Sequence, residues 1–300
     1  MLITTCGNSE KLAQELAKKL KTTATYTPLS ISAFPDGDMY LKFNAPLKNK
    51  TLILVESLYP NSQRSLLRII FAAETAKDLG AKKVILIAPY LAYMRQDKRF
   101  HPGEAVSSKI MAKLLDNSVD KIITIDPHVH RYKKLQDVFT IPAVQLTSNH
   151  LIAAYVQKYE KDKAENKIVL MGPDWESSQW AACIAEEVGF ESTILEKTRH
   201  SSRHVTVKLV KTVPLQGKDV VIIDDIISTG KTIAEAAKLV KRLGAKTVTA
   251  IGVHGLFVEN ALPKLKKAGV DRIVTSNCVE HTTNKIDVVS LLVKELGKEK

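Results

Sequence analysis

The sequence predicts an α/β protein made of two related units, each a mostly parallel sheet flanked by helices. Three observations carry that expectation. Short β-branched runs alternate with amphipathic segments along all 300 residues, and the runs are apolar at several consecutive positions, as in strands covered on both faces. The hexapeptide Leu79-Gly80-Ala81-Lys82-Lys83-Val84 returns as Leu243-Gly244-Ala245-Lys246-Thr247-Val248, each time a helix end, a glycine cap and a new strand. Length agrees, since domains commonly run to about 150 residues.

Along the chain, Ser9 is placed to cap a helix carrying Leu12, Leu16 and Leu20 on one face. Strands are expected at Thr51–Glu56, Lys83–Ala88 and Lys121–Asp126, with a helix from Leu66 to Leu79 stopped by Gly80. The join falls near residue 148, giving domains 1–147 and 148–300. Beyond it, the polar stretch Tyr159–Asn166 reads as a surface loop. Strands follow at Lys167–Met171, Ser192–Leu195, Asp219–Asp224, Thr247–Val253 and Arg272–Thr275, and a helix from Lys231 to Leu243 ends at Gly244.

Hydrophobic residues at 45% and charged residues at 25% exclude collagen-like, disulfide-framework and disordered classes. The 44 basic and 32 acidic side chains leave a net charge of +12. Residues 1–150 carry 21 basic and 13 acidic groups and residues 151–300 carry 23 and 19, so the excess is no terminal tail. Nucleic acid, an anionic membrane surface and phosphorylated substrates are the partners such an excess suits. No aromatic-rich RNA signature occurs, and no apolar run nears the ~20 residues of a membrane span. The motifs described next favour small phosphorylated substrates, and neither nucleic acid nor membrane is expected as a partner. Cys6, Cys183 and Cys278 form no CxxC pair and read as small buried hydrophobes. The amino terminus lacks a basic segment followed by an apolar one, and a cytoplasmic chain is expected.

The most specific segment runs from Val220 to Thr232. A buried strand delivers Asp224 and Asp225 at its C-terminal end, and Ser228-Thr229-Gly230-Lys231-Thr232 then opens a helix. In open α/β sheets ligands bind at such ends, and N–H groups at a helix start favour phosphate. The two acids suit ribose hydroxyls or a magnesium ion, and the loop suits a 5′-phosphate. A P-loop is excluded, because Asp225 stands where its first glycine is required. Elsewhere, Arg95-Gln96-Asp97 with Lys98 and Arg99 offers a polyphosphate clamp. Asp126 and His128 stand at a strand end, and Lys197 and Arg199 follow another strand, placed to neutralise charge on a transferred phosphoryl group.

In this order, and over nearly the whole chain, these segments resemble the ribose-phosphate pyrophosphokinase family; the type I phosphoribosyltransferases share only the loop at 224–232. The resemblance implies two tandem type I phosphoribosyltransferase-like domains. It implies transfer of the β,γ-diphosphoryl group of ATP to the 1-hydroxyl of ribose 5-phosphate with Mg2+, giving AMP and phosphoribosyl pyrophosphate. Under it, Phe34, Asp36 and Asp38 correspond to a nucleotide-binding flap that serves a neighbouring subunit, so a homo-oligomer of at least two copies is expected. Arg95, Gln96 and Asp97 correspond to ATP-binding residues, as does His128, which shares with Asp174 a magnesium-associated role. Lys197 and Arg199 match the mobile catalytic pair, and Asp224, Asp225, Ser228, Thr229, Gly230 and Thr232 the ribose 5-phosphate site.

The departures are specific. The family has glycines after its Pro-Asp pair, where Pro173-Asp174 here precedes Trp175-Glu176-Ser177-Ser178-Gln179. Ser228 replaces an acid and Lys231 a small residue. Phe100–Glu104 lacks the basic run of bacterial and animal relatives, which brings the pattern closer to the archaeal branch. The rivals are a salvage phosphoribosyltransferase and a catalytically silent regulatory paralogue.

Overall fold

The computed structural model describes residues 1–129, 131–160, 168–199, 205–209 and 213–299. Two compact units emerge. One comprises Met1–Leu146 with Cys278–Glu280 and the chain from Val288 onward, the other Thr147–Asn277 with His281–Asp287.

In the first unit, β1 (Leu2–Thr4), β2 (Thr25–Tyr26), β5 (Thr51–Val55), β6 (Lys83–Ala88), β7 (Lys121–Ile125) and β8 (Ala143–Leu146) form a sheet in the order β2-β1-β5-β6-β7-β8. Every pairing in it is parallel. The apolar runs are there because these strands are covered on both faces; Ile53, Leu54, Val55, Ile85, Leu86 and Ile87 have no exposed surface. Separately, β3 (Leu29–Ala33) and β4 (Met39–Phe43) make an antiparallel hairpin. The helices are α1 (Glu10–Lys19), α2 (Ser62–Asp78) and α3 (Ser107–Ser118).

The second unit has α4 (Asn149–Glu160), α5 (Trp175–Val188), α6 (Lys231–Arg242) and α7 (Ala261–Lys267). Its strands are β9 (Ile168–Gly172), β10 (Glu191–Arg199), β11 (Val205–Leu209), β12 (Asp219–Ile227), β13 (Thr247–Gly255), β14 (Arg272–Ser276) and β15 (Asn284–Ile286). They run β11-β10-β9-β12-β13-β14-β15, all parallel except the β10–β11 edge pair.

The internal echo extends to individual hydrogen bonds. Gly80 and Gly244 are both left-handed, at φ 80° and 87°, and their N–H groups donate to Lys77 O and Lys241 O at 2.9 and 3.0 Å. Lys82 N–H reaches Lys50 O at 2.8 Å and Lys246 N–H reaches Lys218 O at 2.7 Å. Val84 N–H donates to Asp120 Oδ2, and Val248 N–H to Asp271 Oδ2, at 2.7 Å in each case. Thr51 pairs with Lys83 and Asp219 with Thr247, so the repeat sets β5 against β12 and Glu56 against Asp224.

Several boundaries differ from expectation. Ser9 precedes α1 without capping it, because its Oγ accepts the N–H of Ser57 at 2.9 Å. Helix α2 starts at Ser62 rather than Leu66, where Asn61 Oδ1 accepts Arg64 N–H at 2.9 Å and supplies the cap. Tyr159 and Glu160 end α4 rather than opening a loop, and residues 161–167 lie outside the described part. Strand β10 continues past Leu195 because β11 gives it a new partner from Leu195 to Arg199.

The end of the chain departs from a second domain running 148–300. Helix α8 (Val289–Leu296) belongs to the first unit, where Lys121 Nζ meets Glu295 Oε1 at 3.0 Å and Glu299 Oε1 at 2.6 Å. Lys83 Nζ adds a second contact to Glu299 at 2.7 Å. Burial opposes the Lys121 charge, but hydrogen bonds to Glu299 and Glu295 hold it above the ordinary lysine range.

Candidate functional site

The second unit presents its chemistry at the C-terminal end of β12. Ile222 and Ile227 sit in the apolar core with Ile233, Ala236 and Val240 of α6, which fixes the strand–loop–helix path. Between them, Asp224 and Asp225 are half-buried. Enclosure first, then the neighbouring Asp225 and Asp174 carboxylates, raise the Asp224 carboxyl well above its ordinary value. Asp174 caps α5, its Oδ1 accepting from Ser177 N–H at 3.0 Å and Ser177 Oγ at 2.8 Å. Three carboxylates whose charges oppose one another in this way suit a divalent cation. Among the described residues, however, no group of three His, Cys, Asp or Glu side chains is set to hold one.

The loop after the acids is pinned by the chain that follows β13. Leu256 N–H donates to Ile227 O at 2.9 Å, and Val258 N–H to Ser228 O at 3.1 Å. Gly230 stands at the start of α6 with φ 69°, and a Cβ there would lie 3.1 Å from Leu265 Cγ. Only glycine fits both the left-handed backbone and the close helix contact. The loop therefore turns Ser228, Thr229 and Thr232, all short of full burial, about a helix N-terminus that favours anions. Lys197 and Arg199 have their backbone in β10, opposite Val207 and Val205. Their side chains lie outside the described part.

In the first unit, the chain leaving β6 passes through Tyr93, held at φ 69°, before it reaches Arg95. Arg95 is exposed. Gln96 is tied to the start of α3, its side-chain oxygen accepting from Ser107 Oγ and its carbonyl from Ser108 N–H at 3.3 Å. The Asp97 carboxylate has no exposed surface and meets Arg131 Nη1 at 3.0 and 3.2 Å. Arg131 was not marked by any motif; its partner lies 34 residues away, and only the fold joins them. His128 is half-buried just beyond β7, after Asp126 at φ 38°. It belongs to the first unit and Asp174 to the second.

The Phe34–Asp38 segment is the tip of the β3–β4 hairpin rather than an isolated turn. Phe34 N–H donates to Asp38 O at 2.8 Å and Gly37 N–H to Phe34 O at 2.9 Å. Asp36 Oδ1 accepts from Asp38 N–H at 3.2 Å. The Phe34 ring is 52% exposed and packs edge-on against Tyr40 at 5.7 Å. Between the hairpin and α2 lies a groove of about 620 Å³, lined by Phe34, Asp38, Arg64, Arg68 and Phe71 among others.

Glu56 also escaped the sequence reading. It has no exposed surface and fills the β1–α1 junction, accepting from Thr5 Oγ1 at 2.8 Å, Cys6 N–H at 3.0 Å and Asn8 N–H at 3.3 Å.

Comparison with known proteins settles the family. The family model for the N-terminal domain of ribose phosphate pyrophosphokinase matches residues 1–118, and that for the phosphoribosyl transferase domain matches residues 137–292. The ribose-phosphate pyrophosphokinase of Methanobrevibacter smithii is 33% identical over 299 residues, spanning 96% of this chain and 97% of that protein. The chain belongs to the ribose-phosphate pyrophosphokinase family. The pyrophosphokinase of Sulfolobus acidocaldarius is 34% identical over 284 residues, covering 94% of this chain and 93% of its own. The family's fold is evident in the phosphoribosylpyrophosphate synthetase of Mycobacterium smegmatis, which superposes with a TM-score of 0.86 at 22% identity and covers 100% of this chain and 99% of its own. Like these pyrophosphokinases, the chain carries two phosphoribosyltransferase-type domains, and the family is one of enzymes. Among the described residues no helix is long and apolar enough to cross a membrane.

Proposed function

We propose that this chain transfers the β,γ-diphosphoryl group of ATP to the 1-hydroxyl of ribose 5-phosphate, giving AMP and 5-phospho-alpha-D-ribose 1-diphosphate. The observation that carries the reading is the Asp224-Asp225 pair at the end of β12, running into a glycine-hinged loop at the start of α6. That combination suits a sugar phosphate, with acids for the ribose hydroxyls and Ser228, Thr229, Gly230 and Thr232 for the 5′-phosphate. The names borne by the archaeal relatives support the same substrates.

The sugar's 1-oxygen attacks the β-phosphorus, the bond from that phosphorus to the α–β bridging oxygen breaks, and AMP leaves with that oxygen. The hydroxyl proton is released as the new ester forms. No covalent enzyme intermediate is needed, so the protein's work is alignment and charge neutralisation. Arg95 and Gln96 take the triphosphate, with His128 beside it, and Phe34, Asp36 and Asp38 take the nucleotide. Lys197 and Arg199 neutralise charge at the transferred group. Mg2+ would supply further neutralisation on the phosphates, with Asp174 and His128 the residues that would hold it by family position; the Asp225 and Asp174 carboxylates that raise the Asp224 carboxyl support a cation beside that loop. Cytoplasmic residence and assembly into at least a dimer belong to the same proposal. Exposed Phe34, Leu67 and Phe71 in the first unit support the assembly, at 52%, 50% and 45%.

Purified protein given ATP, ribose 5-phosphate and Mg2+ is expected to release AMP and the phosphoribosyl diphosphate in equal amounts. ADP in place of AMP rules out diphosphoryl transfer. Absence of product at every Mg2+ concentration favours the silent paralogue, and consumption of the diphosphate with a free base favours the salvage enzyme.

A further inference from the structure

We propose that Arg131 is a positioning residue for the nucleotide, holding the Arg95–Phe100 segment in its working shape through Asp97. The inference deepens the ATP reading above and rests on it.

The segment leaves β6 and offers Arg95 to solvent. Its side chains must be aimed by contacts from other elements, and two sources are visible. One is the start of α3, which holds Gln96 through Ser107 and Ser108. The other is Arg131-Tyr132, which grips Asp97 twice. Arg131 Nη1 reaches both carboxylate oxygens, at 3.0 and 3.2 Å, and Tyr132 Oη donates to the Asp97 carbonyl at 3.0 Å. Tyr132 Oη and Ser108 Oγ are 3.0 Å apart, which links the two sources.

An enclosed carboxylate is costly to ionise unless a cation and hydrogen bonds compensate it. Asp97 is fully enclosed, so its oxygens are spent on the protein rather than on a substrate. Arg131 is 38% exposed at its side chain, which makes it a surface strap rather than a core residue. Its guanidinium also lies 5.3 Å from the Phe100 ring centroid, so one side chain touches the segment at Asp97 and again at Phe100. Loss of the strap removes the charge beside Asp97 and leaves the segment to its contacts with Ser107, Ser108 and Tyr132, so Arg95 is aimed less firmly.

The test is steady-state kinetics with direct ATP titration on wild type, Arg131→Ala, Arg131→Lys, Asp97→Asn and the Arg131→Ala/Asp97→Asn pair. For Arg131→Ala, KM and Kd for ATP are expected to rise on the order of tenfold or more, with KM for ribose 5-phosphate within about twofold. Arg131→Lys keeps the charge and can bring one nitrogen to Asp97, as Nη1 does here, but loses the guanidinium contact with Phe100, so it should recover part of the loss. The double variant should be no worse than the poorer single one, because both break one contact. An active wild type with unchanged ATP constants in Arg131→Ala overturns the positioning role and leaves the enzyme reading standing. Equal losses toward both substrates also overturn it, since they indicate general damage. A wild type that neither binds ATP nor turns over removes both. Should Arg131→Ala not fold, Arg131→Lys and Asp97→Asn carry the same comparison.

Discussion

Glu56 sits where the internal repeat places Asp224, yet its surroundings are different. Its carboxyl is enclosed and faces the β1–α1 junction of its own unit. Burial pushes it from an ordinary 4.5 up to about 7, against the pull of hydrogen bonds from Thr5, Asn8 and Cys6 and of the Arg68 charge. Because the folded value is raised, the folded chain keeps a proton that the unfolded chain gives up. Stability from this group is therefore present in full below about pH 4.5 and is lost as pH rises through 7. At about 1.4 kcal/mol per pKa unit the total is about 3 kcal/mol, of which about 2.5 kcal/mol falls between pH 5 and 8. Glu56→Gln removes the ionisation and keeps one oxygen for the Thr5 and Cys6 donors. Urea unfolding of both proteins by circular dichroism at pH 5, 6, 7 and 8 isolates the effect, since every other group titrates in both. The stability of the variant relative to wild type should rise by about 2.5 kcal/mol across that range. A difference that stays flat refutes the reasoning, because Glu56 would then ionise as an ordinary carboxylate.

The repeat supplies its own control for a glycine test. Gly80→Ala should cost about 1–2 kcal/mol from the left-handed backbone alone, because a Cβ there meets nothing closer than Lys48 at 3.5 Å. Gly244→Ala should melt lower still, since its Cβ runs into the Gln216 amide and stands 3.2 Å from Gln216 Cα; adding Gln216→Ala should return most of the excess. Lys121→Ala strips a partner from Glu295 and Glu299 and should cost about 1–3 kcal/mol at pH 7. Burial raises both acids, but Lys298, Lys121 and Lys83 hold them below the ordinary range. That stabilisation is present above the ordinary carboxylate value and lost as pH falls through the lowered one, so the gap between Lys121→Ala and wild type should close in acid. Gly230→Ala should raise KM for ribose 5-phosphate well above its effect on KM for ATP; equal effects would detach the loop from the sugar phosphate. Lys197→Ala and Arg199→Ala should each lower kcat far more than either KM, and a change confined to KM would deny them a role at the transferred group.

What could be read from the sequence was what neighbouring residues encode. The apolar runs at 83–88 and 121–125 mark covered strands, and Gly80 and Gly244 mark helix ends. Asp224 through Thr232 form a candidate ligand loop whose residue types and order suffice to suggest its chemistry. Each of these signals is complete within a dozen residues, so the side chains that make the feature also announce it. The hairpin at 29–43 was missed because its strands alternate between partly buried and exposed residues and lack a long apolar run. Tertiary structure decided the matters that depend on distant partners. Glu56 is a buried acid because strands β1 and β5 lie side by side, bringing Thr5 and Cys6 to it across about fifty residues. Arg131 became Asp97's partner, and the end of the chain joined the first unit through a lysine 174 residues from its glutamate. A charge carries no sequence mark of which distant charge it will meet; that is settled only when burial makes an unpaired one too costly to keep.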